Sequence, residues 1–180
     1  DLLDSGVEIP KVDVSGNASS EEKHVEYKGV TENVASVADG ETIKITDVKD
    51  PVFSKKMMGD GFAVEPTGSE VYAPVSGKVT NVFPTKHAVG LLTDSGLEVL
   101  VHMGLDTVEL KGEPFDVKVK EGQTVNAGDL LAVCDWDKVK QAGKGTTIVV
   151  AFTNMDAVKE DKIDKLGQTS AKTVVGSVEL

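Results

Sequence analysis

Two histidines stand in surroundings that suit nucleophilic chemistry. His102 lies in the run Val99-Leu100-Val101-His102-Met103-Gly104-Leu105-Asp106-Thr107-Val108, and His87 follows Phe83-Pro84-Thr85-Lys86. An imidazole flanked by Val, Leu and Met is partly withdrawn from water, which lowers its basicity and favours the neutral, nucleophilic ring. Gly104 lets the backbone approach closely, so its carbonyl could take the Nδ1 proton and leave Nε2 free. Thr85, two residues before His87, places a hydroxyl on the same face, where it can fix that ring's tautomer. A lone His in an apolar strand is more often a satisfied structural residue, whereas two on one face make a candidate site. The third, His24, sits among acids and reads as a solvated surface side chain.

The elements around these residues must bring the rings together. Asp94-Ser95-Gly96 marks a turn between the two apolar runs. If Ser95 and Gly96 form a two-residue turn, Asp94 pairs with Leu97 and His102 falls opposite Val89. His87 then shares the face of Val89, and the rings become diagonal neighbours with backbones about 7–8 Å apart. A three-residue loop would flip that parity. Short runs rich in Val and Ile, bounded by turn residues, predict strands at Thr42–Thr46, Phe62–Glu65, Gly77–Phe83, Val89–Thr93, Glu98–Met103, Phe115–Lys118, Leu130–Asp135 and Thr147–Phe152. Asp137–Gln141 makes a single helical turn at best, and Asp156–Leu166 has mixed helical spacing. The expected body is all-β and antiparallel, a sandwich or barrel with little helix. Ala73-Pro74-Val75-Ser76-Gly77-Lys78-Val79 and Glu121-Gly122-Gln123-Thr124-Val125-Asn126-Ala127-Gly128-Asp129-Leu130-Leu131 look like halves of one pattern. The pair resembles the hammerhead-like turns of lipoyl and biotinyl domains, but no hairpin presents a Lys for modification.

Composition bounds the function classes. The 180 residues carry 30 acids against 19 cationic side chains, all Lys, for a net charge of −11. Without a basic stripe the chain does not suit a nucleic-acid partner, whose phosphates must be neutralised. The absence of Arg removes the bidentate fork for phosphate. No apolar run approaches the roughly 20 residues of a membrane span, so this chain is not expected to insert in a bilayer. The lone Cys134 cannot staple the fold and fits a reducing compartment. Residues 1–34, with eight acids against three Lys and no sustained period, read as an acidic linker-like tail ahead of a domain at 35–180. The start at Asp1 rather than Met leads us to expect a processed product or a domain cut from a fusion.

The segment Gly96-Leu97-Glu98-Val99-Leu100-Val101-His102-Met103-Gly104-Leu105-Asp106-Thr107-Val108 resembles the phosphorylation-site signature of the glucose-class enzyme IIA proteins of the bacterial phosphoenolpyruvate-dependent sugar phosphotransferase system. The likeness extends through Glu109-Leu110-Lys111-Gly112, Phe83-Pro84-Thr85-Lys86-His87-Ala88 and Val52-Phe53-Ser54-Lys55-Lys56-Met57-Met58-Gly59-Asp60-Gly61. It also takes in the Ala73–Gly77 turn. The resemblance implies a cytoplasmic phosphotransferase, possible tethering through a fused permease included, that needs no metal or cofactor. His102 would accept the phosphoryl group on Nε2 from the histidine phosphocarrier protein and pass it to a Cys of a sugar-specific IIB domain. His87 would stabilise the group, with Thr85 and the Gly104 carbonyl orienting the rings. Phe53, Met57, Met58 and Phe83 would line an apolar depression for partners, with Asp50 and Asp106 at its rim. Met103 and Pro114 depart from the usual Phe and Gly. The sugar is not legible, because specificity resides in the IIB part and the membrane IIC part.

Other features read plainly. Cys134 sits mid-strand with no basic neighbour to form a thiolate, so it is expected to be structural rather than a phosphocysteine. Trp136 reads as packing, Gly59-Asp60-Gly61 as a turn without the context of a phosphate loop, and Lys55-Lys56 as a solvated pair. Two other classes stay open on the residues alone. One is a zinc site of metallopeptidase type on His87 and His102, with Asp106 as a third ligand. The other is a regulatory module that docks partners without transferring anything.

Overall fold

The computed structural model describes residues 29–180; residues 1–28, His24 among them, lie outside that range. Along the chain run β1 (Thr31–Ala35), β2 (Gly40–Lys44), β3 (Asp60–Pro66), β4 (Glu70–Tyr72), β5 (Gly77–Val82), β6 (Ala88–Leu92) and β7 (Glu98–Leu105). There follow β8 (Phe115–Val117), β9 (Thr124–Val125), β10 (Leu130–Cys134), β11 (Gly145–Phe152), β12 (Glu160–Ile163), β13 (Gly167–Thr169) and β14 (Val174–Glu179). The helices α1 (Pro51–Ser54) and α2 (Trp136–Gln141) are short, four and six residues. Every strand pairing is antiparallel. The all-β antiparallel expectation therefore holds, and all eight expected strands are present.

An eight-stranded sheet, ordered β13-β2-β3-β11-β7-β6-β5-β9, packs with two three-stranded sheets, β1-β14-β12 and β4-β10-β8. β1 starts at Thr31, ahead of the boundary that composition suggests at Ala35. The two similar turn segments interlock: Gly128 N–H donates to the Ala73 carbonyl at 2.8 Å, and Gly122 N–H to that of Val79 at 2.7 Å. Inside the large sheet, alternate residues of each strand point into one main core. Phe62, Phe152, Leu97, Met103, Leu131 and Ile148 are all buried in it. Each such side chain contributes about 1.5–3 kcal/mol of burial.

The opposite face of the same sheet carries a second, smaller core. Ala63 of β3, Val149 and Ala151 of β11 and Leu105 of β7 are roofed there by Ile45, Val48 and Phe53. The roof is the stretch from the 3-10 turn at Ile45–Asp47 through α1. Asp50 caps α1 by accepting the Val52 N–H at 2.9 Å, and Pro51 occupies the first helical position. This pairing suits a helix start, because the cap satisfies one free N–H and Pro lacks one.

One expectation is corrected, and the loop length that the sequence leaves open is decided. Asp156–Leu166 is not helical: after a 3-10 turn at Met155–Ala157 it becomes β12, with Asp161 and Ile163 turned inward and Glu160 and Lys162 outward. A period of two hid behind a few apolar residues at helical spacing. The turn at Asp94-Ser95-Gly96 has three residues, not two. Thr93 N–H donates to the Leu97 carbonyl at 3.0 Å, Gly96 N–H returns to the Thr93 carbonyl, and Gly96 takes φ +98°. A left-handed third residue is the usual closure of a three-residue hairpin. His102 accordingly pairs with Ala88, not Val89.

Candidate functional site

That register, continued as regular strand, would put His87 and His102 on opposite faces. They meet because His87 lies just outside β6. Phe83–Lys86 forms a tight turn, Lys86 N–H donating to the Phe83 carbonyl at 2.7 Å, and Lys86 adopts φ +60°. The chain enters β6 from this left-handed residue, which frees the His87 side chain from the alternation of the strand. The ring centroids lie 5.0 Å apart at an interplanar angle of 79°. The juxtaposition expected from the sequence is present, by a different route.

Each ring is held at Nδ1. His102 Nδ1 lies 2.7 Å from the Gly104 carbonyl oxygen. A carbonyl only accepts, so Nδ1 carries the proton and the Nε2 lone pair of the neutral ring is free. His87 Nδ1 lies 2.7 Å from the Thr85 hydroxyl. If that hydroxyl donates, the His87 proton resides on Nε2, where it can serve as a donor. Aromatic walls complete the enclosure: Phe53 stands 4.9 Å from His102 between centroids, and Phe83 meets His87 edge-on at 5.4 Å.

The electrostatics favour two neutral imidazoles. Burial, with a lesser contribution from the adjacent His102, pushes His87 down from the ordinary 6.5 to about 4. His87 is 7% exposed. His102 is lowered chiefly by burial, against the Gly104 carbonyl bond and the carboxylates of Asp50 and Asp106, which favour its proton. Those two acids thus sit where their charges reach the His102 ring. Asp106 itself takes φ +60° and ends the strand that carries His102.

The remaining site residues divide by depth. Phe53 is buried against His102, whereas Met57 is 69% exposed and Met58 is also exposed. Met58 and Phe83 open onto a groove of about 330 Å³ that runs over Gly90 and Leu100. Val52 within α1 and Val108 in the 3-10 turn after β7 are exposed apolar residues that their types and spacing do not single out. Asp50-Pro51 was a legible helix-start signal that could have marked the roof. Cys134 is buried and its thiol is pushed up by burial to about 12, so it offers no thiolate. Its sulfur lies 3.6 Å from that of Met103, which fills the core directly behind His102. Trp136 packs edge-on to Phe115 and donates its indole N–H to the Gly68 carbonyl at 3.0 Å. Lys56 is not simply solvated, since it pairs with Asp60 at 3.4 Å. Asp106 does not join the two His as a metal ligand: among the described residues no three His, Cys, Asp or Glu side chains are gathered for a metal ion.

Residues 32–158 match the family model for the phosphoenolpyruvate-dependent sugar phosphotransferase system, EIIA 1. The chain belongs to this EIIA family. Over all of its 180 residues it is 54% identical to the glucose-specific EIICBA component of Streptococcus pneumoniae serotype 4, while spanning 25% of that protein's length. Over 140 residues it is 49% identical to the glucose-specific EIIA component of Halalkalibacterium halodurans, covering 75% of this chain and 81% of that one. The EIIA fold also superposes on the glucose permease IIA from Mycoplasma capricolum with a TM-score of 0.74 and 39% identity, covering 82% of this chain and 96% of that one. Among the described residues no helix is long and apolar enough to cross a membrane.

Proposed function

We propose that the chain is a phosphoryl carrier in sugar uptake and that His102 is its acceptor. The observation that supports this best is the Nδ1 bond of His102 to the Gly104 carbonyl at 2.7 Å, which leaves a free Nε2 lone pair beside a second imidazole. Nε2 attacks the phosphorus of a phosphohistidine on the phosphocarrier protein. A new N–P bond forms, the donor N–P bond breaks, and its electron pair returns to the donor ring. Positive charge then spreads over His102, and the Gly104 carbonyl steadies it through Nδ1–H. In the second step a cysteine thiolate of a IIB domain attacks phosphorus, and the pair of the His102 N–P bond returns to Nε2. His87, neutral and with Thr85 donating to Nδ1, offers Nε2–H to the phosphoryl oxygens. Such catalysis is positioning plus stabilisation of spread charge.

The partners dock on the apolar face around Phe53, Met57, Met58 and Phe83, with Val52 and Val108 enlarging it and Asp50 and Asp106 at the rim. The phosphotransfer unit begins at β1, and the acidic residues before it serve as a linker. A relative of EIICBA type makes a IIB region of the same polypeptide the natural next acceptor. The roles of the two imidazoles separate by mutation. His102→Gln is expected to take no phosphate from the phosphocarrier, while His87→Gln takes it but passes it to IIB at least tenfold more slowly. Identical behaviour of the two variants in a stepwise transfer assay would refute this division.

A further inference from the structure

The Gly104 carbonyl is aimed at His102 by a distorted stretch of β7. Met103 pairs with Ile148 of β11, but Leu105 pairs with Gly145, so β11 takes three steps where β7 takes two. The extra residue lies opposite Gly104, and bulges of this kind re-aim the groups beside them. Gly104 has φ +84°, and a Cβ there would fall 2.5 Å from Cγ2 of Thr107 and 2.8 Å from the Gly145 carbonyl oxygen. Thr107 is fully buried, and its hydroxyl donates to the Met103 carbonyl at 2.6 Å. The N–H of Met103 meanwhile donates to the His87 carbonyl at 2.7 Å. Met103 is therefore fixed on one side by the backbone of one histidine and on the other by a threonine hydroxyl, and the next peptide carries the carbonyl that holds the other histidine.

We propose that Thr107 is a positioning residue for His102, its hydroxyl anchoring the Met103 carbonyl so that the following Gly104 carbonyl faces Nδ1. Its methyl group closes the space where a side chain on residue 104 would sit. The consequence for phosphoryl transfer rests on the reading of His102 as acceptor; the consequence for the tautomer of His102 does not.

Two substitutions separate the hydroxyl from the bulk. Thr107→Val retains the shape and removes the donor, and Thr107→Ser retains the donor. In Thr107→Val the Gly104 carbonyl is released, so nitrogen-15 spectra of the His102 ring should show Nδ1–H giving way to a mixture of tautomers. The rate of acceptance from the phosphocarrier should fall about tenfold, in keeping with the sensitivity of such steps to small misplacements. Thr107→Ser should keep the Nδ1–H spectrum and most of the rate. A Thr107→Val protein with the wild-type His102 tautomer, or Val and Ser variants equally impaired, would overturn the proposal. Should Thr107→Val not fold, Thr107→Ala must show the same loss of Nδ1–H, and a wild-type spectrum in it would overturn the proposal equally. The spectra are recorded on unphosphorylated protein, so failure of His102 to accept phosphate would sink the acceptor reading and leave this test standing.

Discussion

A ring nitrogen attacks phosphorus only if its lone pair is free; one short bond leaves Nε2 of His102 free, and another suits His87 to the proposed donor role. His102 gives its Nδ1 proton to a carbonyl, and His87 meets a hydroxyl that can donate. Both rings have their protonated forms disfavoured, His87 to about 4. A His lowered on folding binds its proton more weakly than in the unfolded chain. Its contribution to stability is present above about 6.5 and is lost as pH falls toward 4. We expect an NMR titration of the resting protein to give a His87 midpoint near 4. Phosphorylation places negative charge beside this ring, so the midpoint should rise in the phosphoprotein; an unmoved midpoint would mean that His87 does not face the phosphoryl group. At this scale the sequence was informative. Thr85, His87, His102 and Gly104 announced themselves by type and spacing. Thr107 did not, because a buried hydroxyl bonded to a carbonyl four residues back leaves no pattern beyond an ordinary Thr.

Segments rather than single residues decide how the rings meet. The stretch from Ile45 through α1 roofs the outer face of the large sheet and lowers Phe53 onto His102. Phe53→Ala is expected to cost about 3–4 kcal/mol in denaturant unfolding and to let water reach His102, raising its titration midpoint. β12 approaches β3 through a carboxyl pair. Asp161 hydrogen-bonds Asp60, and burial together with that neighbouring carboxylate raises Asp161 to about 6. For Asp60, burial acts upward, but bonds from Asp161 and Gly61 and the nearby Lys56 hold it lower. A raised acid stabilises the fold fully below its unfolded value of 3.8, and that contribution is lost as pH rises through about 6. The melting temperature of the wild type relative to Asp161→Asn should therefore decline between those limits and level off above them. A pH-independent difference would remove the shared proton. The eight strands expected from Val- and Ile-rich runs are present because burial on the inner face enforces their period. β12 does not show in the sequence because four-residue strands carry too little periodicity, and the hairpin register stays open there because a Ser-Gly pair is compatible with two loop lengths.

Among the described residues, the paired imidazoles of His87 and His102 lie on one face of one sheet. The main core, between the sheets, holds Cys134 behind Met103, away from solvent. We expect Cys134 to resist thiol reagents in the native state, to react once the chain is unfolded, and to be replaceable by Ala without loss of phosphate acceptance. Rapid native labelling would contradict its burial. The net charge of −11, read at first as evidence against nucleic acid, also suits a basic protein partner. Association with the phosphocarrier should weaken as salt is raised, and salt-insensitive binding would deny the acidic rim a role. No feature of composition could have located the bulge at Gly104, since it arises from the pairing of two strands far apart in sequence. The central claim, that His102 holds the phosphoryl group, has a direct measurement. The chain is incubated with enzyme I, the phosphocarrier protein and phosphoenolpyruvate, and its intact mass is recorded alongside His102→Gln. The wild type is expected to gain one acid-labile, base-stable phosphoryl group and the variant none. No gain in the wild type, or the same gain in both, would contradict that claim.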